Sequence, residues 1–203
     1  MRRLFLALFL PLLLAGCVET EARLVWGQDG RMTLYLDLKG PGVSTYGDAL
    51  RERLSQAGFF VRPSGEELHA EAGLKPAGWD RLSGWIPGRF SYKDPSGLTF
   101  FRVSYVLFED YGLSGALRPS ATLGLPPFAG GLPFRFVVEA PFTPIASNAP
   151  QRSGRTLVWR GTLAGPIPVY VRYRLWYPER GLLLLAILVA LALWRRSRRP
   201  RAG

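Results

Sequence analysis

Arg31-Met32-Thr33-Leu34-Tyr35-Leu36-Asp37-Leu38 alternates residue by residue. Met32, Leu34, Leu36 and Leu38 fall on one side, and Arg31, Thr33, Tyr35 and Asp37 on the other. Successive side chains of an extended chain point to opposite faces, so this is the pattern of a half-buried strand. Upstream, Ala22 to Trp26 is a second extended run, and Gln28-Asp29-Gly30 lies between the two. Gly30 can take positive φ without a steric penalty, so the pair predicts a β-hairpin.

Further upstream the pattern stops being that of a folded domain. Arg2 and Arg3 precede an apolar run, Leu4 to Leu14, which ends in Leu14-Ala15-Gly16-Cys17. A charged region, a hydrophobic region and small residues in that order form a bacterial export signal. The small side chains of Ala15 and Gly16 let a peptidase groove reach the backbone. The Cys17 thiol is a nucleophile that can be alkylated with diacylglycerol before cleavage. We therefore expect 1–16 to be removed as a lipoprotein signal and Cys17, the single cysteine, to carry the lipid. The exported part then has no disulfide and must hold together by packing alone.

Downstream of the first hairpin, Pro41-Gly42 breaks the strand and Thr45 to Ala57 predicts a helix. Tyr46, Ala49, Leu50, Leu54 and Ala57 share one face of it. Thr45 and Asp48 have the spacing of a capping box, and Gly58 suits the position after the C-cap. Phe59 to Arg62 restarts extended structure, and Leu68 to Leu74 predicts another strand. A short helical turn is expected over Pro76 to Leu82. Arg89–Lys93 and Leu98–Phe108 predict a second hairpin closed by Asp94-Pro95-Ser96-Gly97. In its second strand Phe101, Val103, Tyr105 and Leu107 share a face.

Tyr111 to Leu132 reads as a long Gly/Pro-rich connection. Its apolar centre, including Leu125 and Phe128, is either a lid or membrane-touching loop, or a loop folded back onto the core. Three strands follow, alternating through Phe134–Glu139, Thr156–Leu163 and Val169–Leu175. The expected fold is α+β: a mostly antiparallel curved sheet with one principal helix.

Gly181 to Trp194 is an apolar run of fourteen residues, followed by Arg195, Arg196, Arg198, Arg199 and Arg201. At about 1.5 Å per residue it covers roughly 21 Å, against about 30 Å of hydrocarbon. Yet it has no polar face, Arg180, Arg195 and Arg196 can snorkel, and Trp176, Tyr177 and Trp194 suit membrane interfaces. We expect a short transmembrane helix over 181–194, rather than a core or interfacial helix, with a basic cytoplasmic tail over 195–203. A lipidated Cys17 and this helix must then share the cytoplasmic membrane, with 17–180 facing outward.

The formal charge of +11 divides unevenly. Setting aside two arginines in the signal and five in the tail leaves nineteen basic residues against fifteen acidic ones. An excess that small does not describe a nucleic-acid surface. One histidine, His69, and one lipidated cysteine cannot build an ordinary transition-metal site, and no phosphate-cradling glycine loop precedes a helix. His69 lacks a nearby nucleophile signature and reads as solvated. Glu66-Glu67 and Glu109-Asp110 are neighbours that point to opposite faces of a strand, and they read as solvated loop residues. No cofactor and no catalytic residue are expected.

The order of features resembles the LppM family of bacterial envelope lipoproteins. They are the lipobox cysteine, the strand pair around Asp29-Gly30, and the helix leading into Gly58-Phe59-Phe60-Val61. Ser147-Asn148-Ala149, Gly154-Arg155-Thr156-Leu157-Val158-Trp159, the final strand and the apolar segment complete them. The resemblance covers most of the chain. It implies a surface-facing, membrane-anchored domain that binds lipid or glycolipid, and it transfers no catalytic residues. Phe101, Val103, Tyr105 and Leu107 are the candidate wall of such a site, and Leu125 and Phe128 its mouth. Docking of another envelope protein through the apolar loop is the alternative, and a hydrolase built on His69 ranks last.

Overall fold

The structure, a computed structural model, describes residues 18–28, 31–40, 43–56, 58–74, 85–89, 98–104, 107–118 and 131–197. These residues form two sheets and two helices. The expected hairpin is present: β1 (Glu19–Trp26) pairs antiparallel with β2 (Met32–Lys39), Leu24 opposite Leu34 and Ala22 opposite Leu36. The even-numbered side chains of both strands are buried, as the alternation requires.

Helix α1 (Val43–Gln56) begins two residues before Thr45, so Thr45 lies in the first turn and not at a cap. Its end is a Schellman motif. The Phe59 amide bonds the Leu54 carbonyl at 2.9 Å, the Gly58 amide bonds the Ser55 carbonyl at 3.0 Å, and Gly58 takes φ +89°. Leu54 and Phe59 are both buried, which supplies the apolar contact of that motif. The chain then enters β3 (Phe60–Ser64) and β4 (Glu67–Leu74), which pairs with β2.

The remaining strands are β5 (Trp85–Arg89), β6 (Leu98–Ser104), β7 (Phe108–Leu117), β8 (Pro133–Glu139), β9 (Ala146–Ser147), β10 (Gln151–Ser153), β11 (Thr156–Thr162) and β12 (Ile167–Trp176). One sheet has seven strands in the order β10-β11-β8-β1-β2-β4-β3, and the other has five in the order β5-β6-β7-β12-β9. The expected single curved sheet is thus two. Their inner faces share one core: Leu24, Leu36 and Phe136 from the first, Leu113, Val169, Val171 and Tyr173 from the second. Trp26 meets Tyr173 edge-to-face across that core with ring centres 4.7 Å apart. Val43 and Leu54 of α1 join the same cluster beside β3 and β4. Pairing is mostly antiparallel, with β1–β8 and β5–β6 parallel.

Two local expectations change. The antiparallel partner of β6 is β7, whereas the segment before it, β5, runs parallel to β6. Residues 90–97, which include the proposed turn, lie outside the described residues, as do 75–84. The expected connection Tyr111–Leu132 begins as strand: Tyr111 to Leu117 belong to β7, which pairs with all ten residues of β12. Gly112 permits that pairing. A Cβ there would lie 1.9 Å from the Val171 carbonyl oxygen and 2.4 Å from the Phe101 ring.

The described elements form an α+β fold, mostly sheet, with α1 inside the domain and a C-terminal helix, α2 (Pro178–Ser197), after β12. No helix among the described residues is long and apolar enough to cross a membrane. Glu179 and Arg180 at one end and Arg195 and Arg196 at the other confine the apolar part to fourteen residues, which corrects the expected transmembrane helix.

Candidate functional site

The strand β6 places Phe101 and Val103 on the outer face of the second sheet, opposite its core side. Phe101 is buried there, stacked on Tyr170 at 6.1 Å, and Val103 is half-buried. Leu107 does not continue that wall, because β6 ends at Ser104. The Leu107 carbonyl instead accepts the Tyr177 amide at 3.0 Å, at the root of α2. A Cβ on Gly181 would lie 3.3 Å from the Leu107 side chain. Two of the four wall residues therefore share a face, and Leu107 belongs to the foot of α2. Cys17, Tyr105, Leu125 and Phe128 lie outside the described residues.

Around that foot the structure assembles a polar cluster from residues far apart in sequence. Glu109 and Asp110, adjacent on β7, do point to opposite faces, but both are buried, against the expectation of solvated loop residues. On the core side Glu109 accepts from the Tyr111 hydroxyl, from the Tyr177 hydroxyl at 3.2 Å, and from Arg180 Nη2 at 2.7 Å. On the outer side Asp110 accepts from Arg174 Nε at 2.7 Å and Nη2 at 3.1 Å. Arg172 reaches the same carboxylate through Nη2 and through Nε at 3.0 Å. Taking a charge out of water is costly unless partners replace the hydration, and two guanidiniums do so here. The hydrogen bonds from Arg174 and then Arg172 hold the Asp110 carboxyl below the usual carboxylate range, against burial, which pushes it up. Burial, helped by Tyr111 and Tyr177, pushes the Tyr173 hydroxyl up instead.

Sequence reasoning missed this cluster because its acids and bases are about sixty residues apart. The available signal was Arg172, Arg174 and Arg180 beside an apolar helix, three cations that a folded core must match.

Beyond the foot, α2 is bare. Leu182, Leu183, Leu184, Leu185, Ile187, Leu188, Val189, Leu191, Leu193 and Trp194 are all exposed. Successive residues turn by about 100°, so these side chains cover every direction around the helix axis.

The outer face of the first sheet carries a second polar group. His69 Nδ1 lies 2.5 Å from Asp37 Oδ1, and Nε2 lies 3.1 Å from Glu67 Oε2. Two carboxylate partners suit an imidazolium that donates from both nitrogens. The Asp37 hydrogen bond, against partial burial, raises the His69 pKa. The histidine is therefore bridged rather than simply solvated. Among the described residues no group of His, Cys, Asp and Glu is arranged to hold a metal ion.

No family description matches the chain, and no curated protein matches its sequence. Among solved structures, the chain is similar to the folded domain of the LppM protein of Mycobacterium tuberculosis, determined by NMR. Identity is 11% and the TM-score 0.44, over 81% of this chain and 94% of that one.

Proposed function

We propose that this protein is a membrane-anchored envelope lipoprotein whose exported domain holds a lipid or another amphiphile without catalysing a reaction on it. The observation that carries this reading is α2, with its large apolar side chains exposed all around its axis. Water solvates such a surface poorly, at about 25 cal/mol per Å² of apolar area. A protein groove covers one side of a helix, whereas acyl chains surround it. The fourteen apolar residues reach roughly 21 Å, too short for a full crossing, so they sink into the outer part of the bilayer, with Arg195 and Arg196 snorkelling back to its headgroups. Diacylglycerol on Cys17 supplies a second attachment, and two attachments make anchoring stable where one is marginal. In this reading the folded domain lies on the outer side of the cytoplasmic membrane, tied to it at both ends. Phe101 and Val103, which share the outer face of β6, mark the wall of the lipid site.

The test is made on native material. Mass spectrometry of the amino terminus should find diacylglycerol on Cys17, and the chain should float with vesicles on a density gradient. Lipid extracted from the purified protein should include a species absent from an equally treated control. An unmodified amino terminus together with detergent-free solubility would defeat the anchoring. Absence of co-purifying lipid, with no thermal shift on adding lipid, would defeat the binding role.

A further inference from the structure

We propose that the foot of α2 is a seat for phospholipid headgroups, in which Arg174 and Arg180 take headgroup phosphates while Trp176 and Phe108 enter the interface. The inference rests on the anchoring read from α2 and adds a surface on the folded domain itself. Only Tyr177 separates β12 from α2, so wherever α2 enters a bilayer the end of β12 comes to its surface. Arg180 precedes Leu182, the first of the exposed leucines, by two residues, or about 3 Å of helix. The polar zone on each side of a bilayer is several Å thick, which puts Arg180, Tyr177 and Trp176 within it.

The side chains at this level suit that zone. Trp176 is 66% exposed, and its ring with a polar N–H gains most between water and hydrocarbon; Phe108, 37% exposed, adds apolar surface at the same level. The Arg174 guanidinium lies over the Phe108 ring at 5.5 Å, and that of Arg180 over the Tyr177 ring at 4.0 Å. Both side chains keep more than a third of their surface in water, while their carboxylate partners Asp110 and Glu109 keep almost none. The acids therefore brace the guanidiniums from behind and hide their own charge. Arg172 shares Asp110 and is less exposed than Arg174. Glu179 is the one exposed acid of this rim among the described residues. Recognition then works through guanidinium hydrogen bonds to phosphate, for which an arginine fork is well shaped, more than through a large net charge.

The test uses the full chain, reconstituted in phosphatidylglycerol vesicles or held in dodecyl maltoside micelles, which contain no phosphate. Arginines are modified with phenylglyoxal and their rates followed by mass spectrometry, with Arg62, far away on β3, as the internal reference. Modification of Arg174 and Arg180 should slow about fivefold in vesicles, the scale expected for a basic residue beside an anionic leaflet, with Arg62 unchanged. Equal rates in vesicles and micelles, with α2 protected from proteinase K by the vesicles, would overturn the headgroup seat and leave the anchoring intact. Digestion of α2 in vesicles would defeat the anchoring and the seat with it. Equal protection by inorganic phosphate in micelles would overturn the assignment to lipid.

Discussion

Arg180 donates from Nη2 to Glu109 Oε1 across 2.7 Å, and this contact joins the first turn of α2 to the second sheet. Glu109 is 2% exposed, so its charge depends on that donor and on two tyrosine hydroxyls. The Arg180→Gln variant should lose about 1–3 kcal/mol of stability, because a buried acceptor loses a charged partner. Urea unfolding checks the size. Hydrogen exchange should show faster opening of 178–181 with β1 and β2 unchanged.

Gly112 and Phe101 face each other across β7 and β6, and the ring occupies the space a side chain at 112 would need. Gly112→Ala places a methyl against the Val171 carbonyl as well, and backbone cannot move aside as a flexible side chain can. The expected cost exceeds about 3 kcal/mol. Gly73→Ala, where none of the described residues comes within 4 Å of the added carbon, should stay within about 0.5 kcal/mol of the parent. Comparable midpoints for the two variants would contradict the packing described at Gly112.

His69 gives the stability a pH dependence of known sign. Its pKa is raised in the fold, first by the Asp37 hydrogen bond. Such a group stabilises fully below its unfolded value of about 6.5, and the contribution is lost as pH rises through the higher folded value. With 43% of the side chain exposed, screening holds the effect below about 1 kcal/mol. The melting temperature should fall from about pH 6 to about pH 9 in the parent and fall less in His69→Gln. Identical profiles would remove the imidazolium bridge.

Thr20 is 2% exposed on the core side of β1, and its Oγ1 has no hydrogen-bond partner among the described residues. Valine has the same shape without the unsatisfied hydroxyl. Thr20→Val should therefore stabilise the domain by about 1 kcal/mol, read as a higher melting temperature. A lower one would mean that the hydroxyl is satisfied.

Much of the first sheet was legible in the sequence because its strands bury one face only. Met32 to Leu38 and Leu68 to Leu74 show the alternation directly, and Gly58 marks the end of α1. The second sheet was harder to read. β7 carries Glu109-Asp110, Gly112 and Gly115 where a strand pattern calls for apolar side chains. It becomes a strand only because β12 offers it a full partner edge and two arginines for Asp110. Of the candidate wall, the shared face of Phe101 and Val103 follows from period two, whereas Leu107 falls beyond the end of β6.

By itself the sequence determined what is local: strand and helix periods and the apolar run from Gly181 to Trp194. Such features depend on neighbours a few residues apart, whose relative directions the backbone sets. Only the tertiary structure decided that the strands divide between two sheets, that Glu109 and Asp110 are buried, and that three arginines gather at the root of α2. Those outcomes depend on partners about sixty residues away, and the cost of burying a charge is met only once the fold has brought them within hydrogen-bonding distance.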